Sequence, residues 1–138
     1  MSERPYIVLS CSMSIDGYLS GPTDERLVLS NPDDLDRVDA VRAECDAILV
    51  GATTIRRDNP RLLVRSPDLR AAREASGRPP SPVKVTMTTA ARLDPCAQFC
   101  ATGDVEKIVY CSSAALDDAV ARLGGVATIV DGLSLIHI

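Results

Sequence analysis

At 138 residues, 46% hydrophobic and 25% charged, the chain has an ordinary globular composition and the length for one domain with its own core, since a domain near 150 residues buries roughly two-thirds of its unfolded surface. A formal net charge of −4 argues against a dedicated nucleic-acid binder but leaves room for a small anionic ligand held by local arginines. No apolar run reaches the roughly 18–20 residues of a bilayer span, and Ser2-Glu3-Arg4-Pro5 lacks the basic-then-apolar layout of a signal peptide.

The first apolar run, Tyr6-Ile7-Val8-Leu9-Ser10-Cys11-Ser12-Met13, is β-branched enough for a strand, and Asp16-Gly17 turns the chain after it. Asn31-Pro32-Asp33-Asp34 is a helix start: Asn caps, Pro suits the first helical position, and two aspartates favour the positive end of the dipole. The helix runs to about Cys45 with Leu35, Val38, Val41 and Cys45 on one face. Ala47–Val50 follows as a buried strand, then a polar loop, then a short strand at Leu62–Val64. A short helix is expected at Leu69–Ala75, broken by Gly77 and Pro79-Pro80. Val83–Thr88 and Lys107–Cys111 are strands, Ala114–Leu123 a helix stopped by Gly124-Gly125, and Ala127–Val130 a final strand. Strands alternating with helices predict an α/β fold with a largely parallel sheet.

The chemistry gathers after the Ala47–Val50 strand, in Gly51-Ala52-Thr53-Thr54-Ile55-Arg56-Arg57-Asp58-Asn59-Pro60-Arg61-Leu62-Leu63-Val64-Arg65. Hydroxyls, a carboxylate and guanidinium groups around a turn at the C-terminal end of a sheet suit a phosphorylated, hydrogen-bond-rich small molecule, because ligands of open α/β sheets collect at such edges. The alternative is a plain polar loop between two strands. Five scattered cysteines (Cys11, Cys45, Cys96, Cys100, Cys111) suggest reduced, mostly buried thiols in a cytoplasmic protein. Cys96 and Cys100 are four apart, but with His137 the one histidine, a metal site has too few ligands, and no metal is expected.

Three blocks in order, Ser12-Met13-Ser14-Ile15-Asp16-Gly17, Arg42 through Gly51, and Thr54 with Asp58-Asn59-Pro60-Arg61-Leu62 to Arg65, resemble the C-terminal reductase domain of the bifunctional deaminase-reductase of riboflavin biosynthesis. The resemblance is close from about Arg4 to Arg65 and looser from Val83 to Val130. It implies a dihydrofolate-reductase-like fold and NADPH-dependent reduction of the ribose side chain of a pyrimidine riboside 5′-phosphate to a ribityl chain. Hydride passes to the sugar C1′ in an opened, imine-like form, so the protein's main work is to position two anionic ligands face to face. By position in the motif, Ser12, Thr54, Asp58 and Thr89 (or Thr88, the alignment there being ambiguous by one residue) are implied to contact the dinucleotide. Arg42, Leu62 and Arg65 are implied to contact the substrate. Guanidinium forks suit a phosphate, and Leu62 a flat ring. The alternative for Arg42 alone is a solvated helix charge, and for Asp16-Gly17 a simple turn.

Two departures shape the expectation. The family's glutamate followed by a glycine pair, which lets backbone amides approach a pyrophosphate, has no matching segment, and the zinc-binding deaminase motif is absent. Residues 1–132 are therefore expected to be the N-terminal part of a single reductase domain, incomplete at the C-terminus and inactive in this form. Leu133-Ser134-Leu135-Ile136-His137-Ile138 is expected to be a non-native tail. The complete protein is expected to be a homodimer. Alternatives are a related reductase acting on another pyrimidine or pteridine, and a non-catalytic nucleotide-binding domain.

Overall fold

The computed structural model describes residues 4–23 and 29–132; the tail expected at 133–138 lies outside them. The first helix, α1 (Pro32–Glu44), begins where its capping residues dictate, with the Asn31 side chain accepting from the Asp34 amide at 2.8 Å. Its buried positions are Asp39 and Ala43, while Leu35 is exposed. The inward face thus differs from the expected one by rotation, and α1 packs on the helix α3 (Pro67–Ala75). Ser66 caps α3 and Pro67 opens it, two residues before the expected start.

Four strands, β1 (Ala47–Gly51), β2 (Val83–Thr88), β3 (Lys107–Cys111) and β4 (Thr128–Asp131), pair in that order, all parallel. The α/β expectation holds, with β4 displaced by one residue. The register sets Ile48 beside Lys84, Val50 beside Thr86, Thr86 beside Val109 and Val109 beside Ile129, so one face carries this row. Over it close the helices α2 (Ala52–Asp58), α4 (Gln98–Ala101) and α5 (Leu116–Leu123), which bring Ile55, Phe99 and Leu123 to a core shared with Leu62 and Leu93. A 3-10 turn, Ser113–Ala115, leads into α5, and Gly124 ends it.

Three expected elements differ. The Tyr6–Met13 strand is irregular and joins no sheet among the described residues; Tyr6 and Leu9 are more than 90% exposed. A strand's propensity is realised only against a partner for its N–H and C=O groups; the backbone bonds found here are local, Gly17 to Ser14 and Ser14 to Tyr18, which form the expected Asp16-Gly17 turn. The polar loop after β1 is instead the helix α2. Ala52 and Ile55, three apart, are both buried, and no breaker occurs before Asn59, which takes the left-handed conformation (φ 43°) as the C-cap. Leu62–Val64 is no strand. Leu62 and Val64 bury their side chains, but the Val64 amide is taken by the Ser81 hydroxyl at 3.0 Å, so it makes no ladder.

Buried polar groups tie the layers together. Arg73 of α3, 2% exposed, donates to the carbonyls of Ala43, Cys45 and Pro79, satisfying the C-terminal end of α1. Lys84 of β2 lies wholly in the core, its Nζ donating to the carbonyls of Gln98, Phe99 and Thr102 around the end of α4. Burial, with the like charge of Lys107, pushes this ammonium down to about 8. Of the cysteines, Cys100 and Cys111 are buried, Cys45 is half-buried, and Cys11 and Cys96 are exposed, fewer buried than expected. Among the described residues no helix is long and apolar enough to cross a membrane.

Candidate functional site: a cleft at the sheet edge and an arginine patch

The C-terminal ends of β1, β2 and β3 open into one cleft of about 770 Å³. Parallel strands make this edge a common floor, since all four end on the same side. Gly51 closes β1 there, and a Cβ built on it would meet nothing within 4 Å, so the glycine leaves space for a ligand against the backbone. Met87, Thr88 and Thr89 line the cleft from the end of β2, and Tyr110, Cys111 and Ser112 from the end of β3. Thr53 and Arg56 enter it from α2, and Arg92 from the segment after β2.

The two arginines give the cleft its charge. Arg56 donates to the Thr53 hydroxyl at 3.0 Å and to the Arg92 carbonyl at 3.4 Å. Neither guanidinium stands in an ion pair among the described residues. Ser112 is fixed by donating its hydroxyl to the Thr89 carbonyl at 2.7 Å, which joins the ends of β2 and β3. Burial pushes the Cys111 thiol up, with Asp131 adding to it, so this sulfur stays protonated and serves as wall. Cations, hydroxyls and an open glycine together accept an anionic, hydroxyl-rich ligand.

A second cationic patch lies where α1 meets the segment before α3. The Asp39 carboxylate, 3% exposed, accepts from the Arg65 amide at 2.7 Å and the Ser66 amide at 2.8 Å. Arg70 donates to the Val64 and Arg65 carbonyls at 3.0 and 2.7 Å. The Arg65 main chain is thus held from both sides, while its half-exposed side chain reaches Asp36 at 3.3 Å and Asp39 at 3.9 Å. Arg42, one helical turn beyond Asp39, is partly buried. Desolvation lowers its pKa, Asp39 opposes the shift, and the nearby Arg65 adds to it.

The motif residues fall into these two places unevenly. Thr89 lines the cleft. Thr54 and Asp58 sit on α2 with Thr53 and Arg56 but do not line it; Thr54 is exposed and Asp58 half-buried. Ser12 is exposed, its hydroxyl 3.1 Å from that of Ser30. Arg42 and Arg65 share the patch, whereas the Leu62 side chain lies in the core cluster with Ile55 and Phe99. Sequence reasoning named Gly51 and Arg56 within the stretch after β1 without giving either a role, and passed over Arg92 and Asp39. The signal for Arg56 was its helical spacing from Thr53, which a loop assignment erased.

Comparison with known proteins bears on what these sites hold. The sequence model described as the RibD C-terminal domain matches residues 5–137. A 2,5-diamino-6-ribosylamino-4(3H)-pyrimidinone 5′-phosphate reductase of Archaeoglobus fulgidus is 40% identical over 90 residues, covering 65% of this chain and 41% of that protein. The protein of the same name from Methanothermobacter thermautotrophicus is 39% identical over 92 residues, covering 67% of this chain and 39% of that protein. The chain therefore spans about two-fifths of the length of these relatives. The structure of a pyrimidine reductase-like protein from Corynebacterium diphtheriae matches the fold with a TM-score of 0.61 at 21% identity, covering 74% of this chain and 45% of that one.

Proposed function

This chain belongs to the RibD C-terminal domain family, and from that premise we propose that it is the dinucleotide- and substrate-binding part of an NADPH-dependent reductase acting on a ribosylaminopyrimidine 5′-phosphate in riboflavin biosynthesis. The observation that carries the reading is the cleft at the sheet edge, with Gly51 opening its floor and Arg56 and Arg92 free of carboxylate partners among the described residues.

The chemistry of the donor set fits an anionic dinucleotide. Arg56 and Arg92 supply charge for phosphate groups, the hydroxyls of Thr53, Thr88 and Thr89 supply donors and acceptors, and Gly51 gives backbone access. NADPH, when bound, would supply the hydride. Thr54 and Asp58, on the same helix as Thr53 and Arg56, and Ser12 complete the cofactor-side assignment by their place in the motif. Arg42 and Arg65 are assigned the substrate phosphate; Leu62, whose side chain lies in the core, is assigned to the substrate by its place in the motif alone. The chain's own contribution to rate is positioning, since holding two reactants together supplies much of the barrier reduction in such transfers.

The test is a nicotinamide-fluorescence titration of the chain and its Arg56→Ala variant with NADPH and NADH. The expected result is tighter binding of NADPH, reduced about tenfold by the substitution, in line with the loss of a charged hydrogen bond, with NADH little affected. Equal binding of the two dinucleotides by both proteins would contradict the cofactor assignment.

A further inference from the structure

Asp39 belongs to no part of the sequence motif, yet both oxygens of its buried carboxylate are taken by backbone amides. Its two oxygens accept from consecutive amides, Arg65 at 2.7 Å and Ser66 at 2.8 Å, twenty-six and twenty-seven residues away along the chain. Its side chain is almost completely buried, at one of the two buried positions of α1, the other being Ala43. We propose that Asp39 is a positioning residue that fixes Arg65 beside Arg42 so that the two guanidinium groups converge on one phosphate of the substrate.

Three features support this over a purely structural clamp. First, the clamp acts at the arginine itself: the Arg65 amide goes to Asp39 and its carbonyl accepts from Arg70, leaving only the side chain to move. Secondly, Asp39 and Arg42 are three apart on α1, so the residue that fixes Arg65 also carries Arg42 on the same helical face. Thirdly, the nearby guanidiniums of Arg42 and Arg65 repel each other, and the buried Asp39 charge offsets that repulsion without taking the Arg65 fork itself; the Arg65 Nε is 3.9 Å from Asp39 Oδ1, too far for a hydrogen bond. The exposed Asp36, at 3.3 Å from the Arg65 fork, is the carboxylate a phosphate would displace.

This proposal rests on the reading of Arg42 and Arg65 as the substrate-phosphate site, and the experiment separates the two. The chain is titrated calorimetrically with ribose 5-phosphate and with ribose, while amide proton and nitrogen resonances are followed. Wild type is expected to bind ribose 5-phosphate at least tenfold more tightly than ribose. Asp39→Asn should lose about tenfold in affinity for the phosphate ester and none for ribose, as expected on weakening a charged interaction. The Arg65 and Ser66 amide protons should shift upfield as their carboxylate acceptor is lost, and the Arg65 side-chain Nε signal should lose its phosphate response. If the Asn variant does not melt cooperatively, Asp39→Glu carries the test: it keeps the charge but displaces the carboxylate by one methylene, and should fold yet bind the ester more weakly than wild type. A wild type indifferent to the phosphate would overturn the site itself. A wild type that prefers the ester, with a folded Asn or Glu variant matching it, would overturn the role of Asp39 alone.

Discussion

The two cationic regions are built on opposite plans. In the cleft, Arg56 leans on neutral groups, the Thr53 hydroxyl and the Arg92 carbonyl, and neither Arg56 nor Arg92 stands in an ion pair among the described residues. In the patch between α1 and α3, Arg65 is surrounded by two carboxylates, one of them buried. A cation with neutral partners leaves its charge for a ligand; a cation with carboxylates is positioned first and must exchange a partner to bind. The first plan suits a large ligand with several anionic groups, and the second suits recognition of a single phosphate at a set place.

The largest effect that separates the plans is expected at Asp39. Asp39→Ala leaves two amides at the start of α3 without their acceptor, and breaking a buried charged contact of this kind costs about 3–5 kcal/mol. Chemical denaturation should register that loss, while Arg56→Ala should change the unfolding free energy by no more than about 0.5 kcal/mol, as for an ordinary surface change. Equal destabilisation by the two substitutions would erase the contrast.

Lys84 extends the comparison to a buried cation with neutral partners. Its pKa falls from an ordinary 10.5 to about 8, so between these values the unfolded chain binds more protons than the native one and stability rises with pH. The full shift corresponds to on the order of 3 kcal/mol, an upper limit because the three carbonyl acceptors favour the charged form. The buried thiols Cys100 and Cys111, pushed up by burial, act in the opposite direction. The clean measurement is therefore the stability difference between wild type and Lys84→Met at pH 7 and pH 10, expected to move in favour of wild type. A difference independent of pH would mean that the carbonyl cage keeps Lys84 at its ordinary value.

A smaller effect is expected at Asp58. As the acidic residue at the end of α2, it is assigned to the cofactor by motif position alone, and Asp58→Ala should weaken NADPH binding about tenfold through one charged hydrogen bond. Unchanged affinity would confine the cofactor contacts of α2 to the Thr53 and Arg56 side.

What could be seen in the sequence was whatever local chemistry decides. The start of α1 was legible because Asn31 and Pro32 act within one turn, and β2 and β3 because each is a compact apolar run. The Tyr6–Met13 segment misled because a strand depends on a neighbour that sequence does not locate, and Leu62–Val64 because side chains from Ser81 and Asp39 take the amides at and after it. Of the motif residues, Thr89 falls on the cleft and Arg42 and Arg65 on the patch beside Asp39. Arg56 was hidden when α2 was read as a loop, and Arg92 by an irregular segment without periodicity. Asp39 could not be found from spacing at all, since its partners lie on the other side of α2 in sequence.

The central claim, that the sheet-edge cleft receives NADPH, is tested most directly by mapping amide resonances of the chain during an NADPH titration. Saturable shifts at Gly51, Thr53, Thr88, Thr89 and Ser112, with Arg65 and Ser66 unmoved, are the predicted result. Shifts confined to the patch around Arg42 and Arg65, or none at millimolar NADPH, would contradict it.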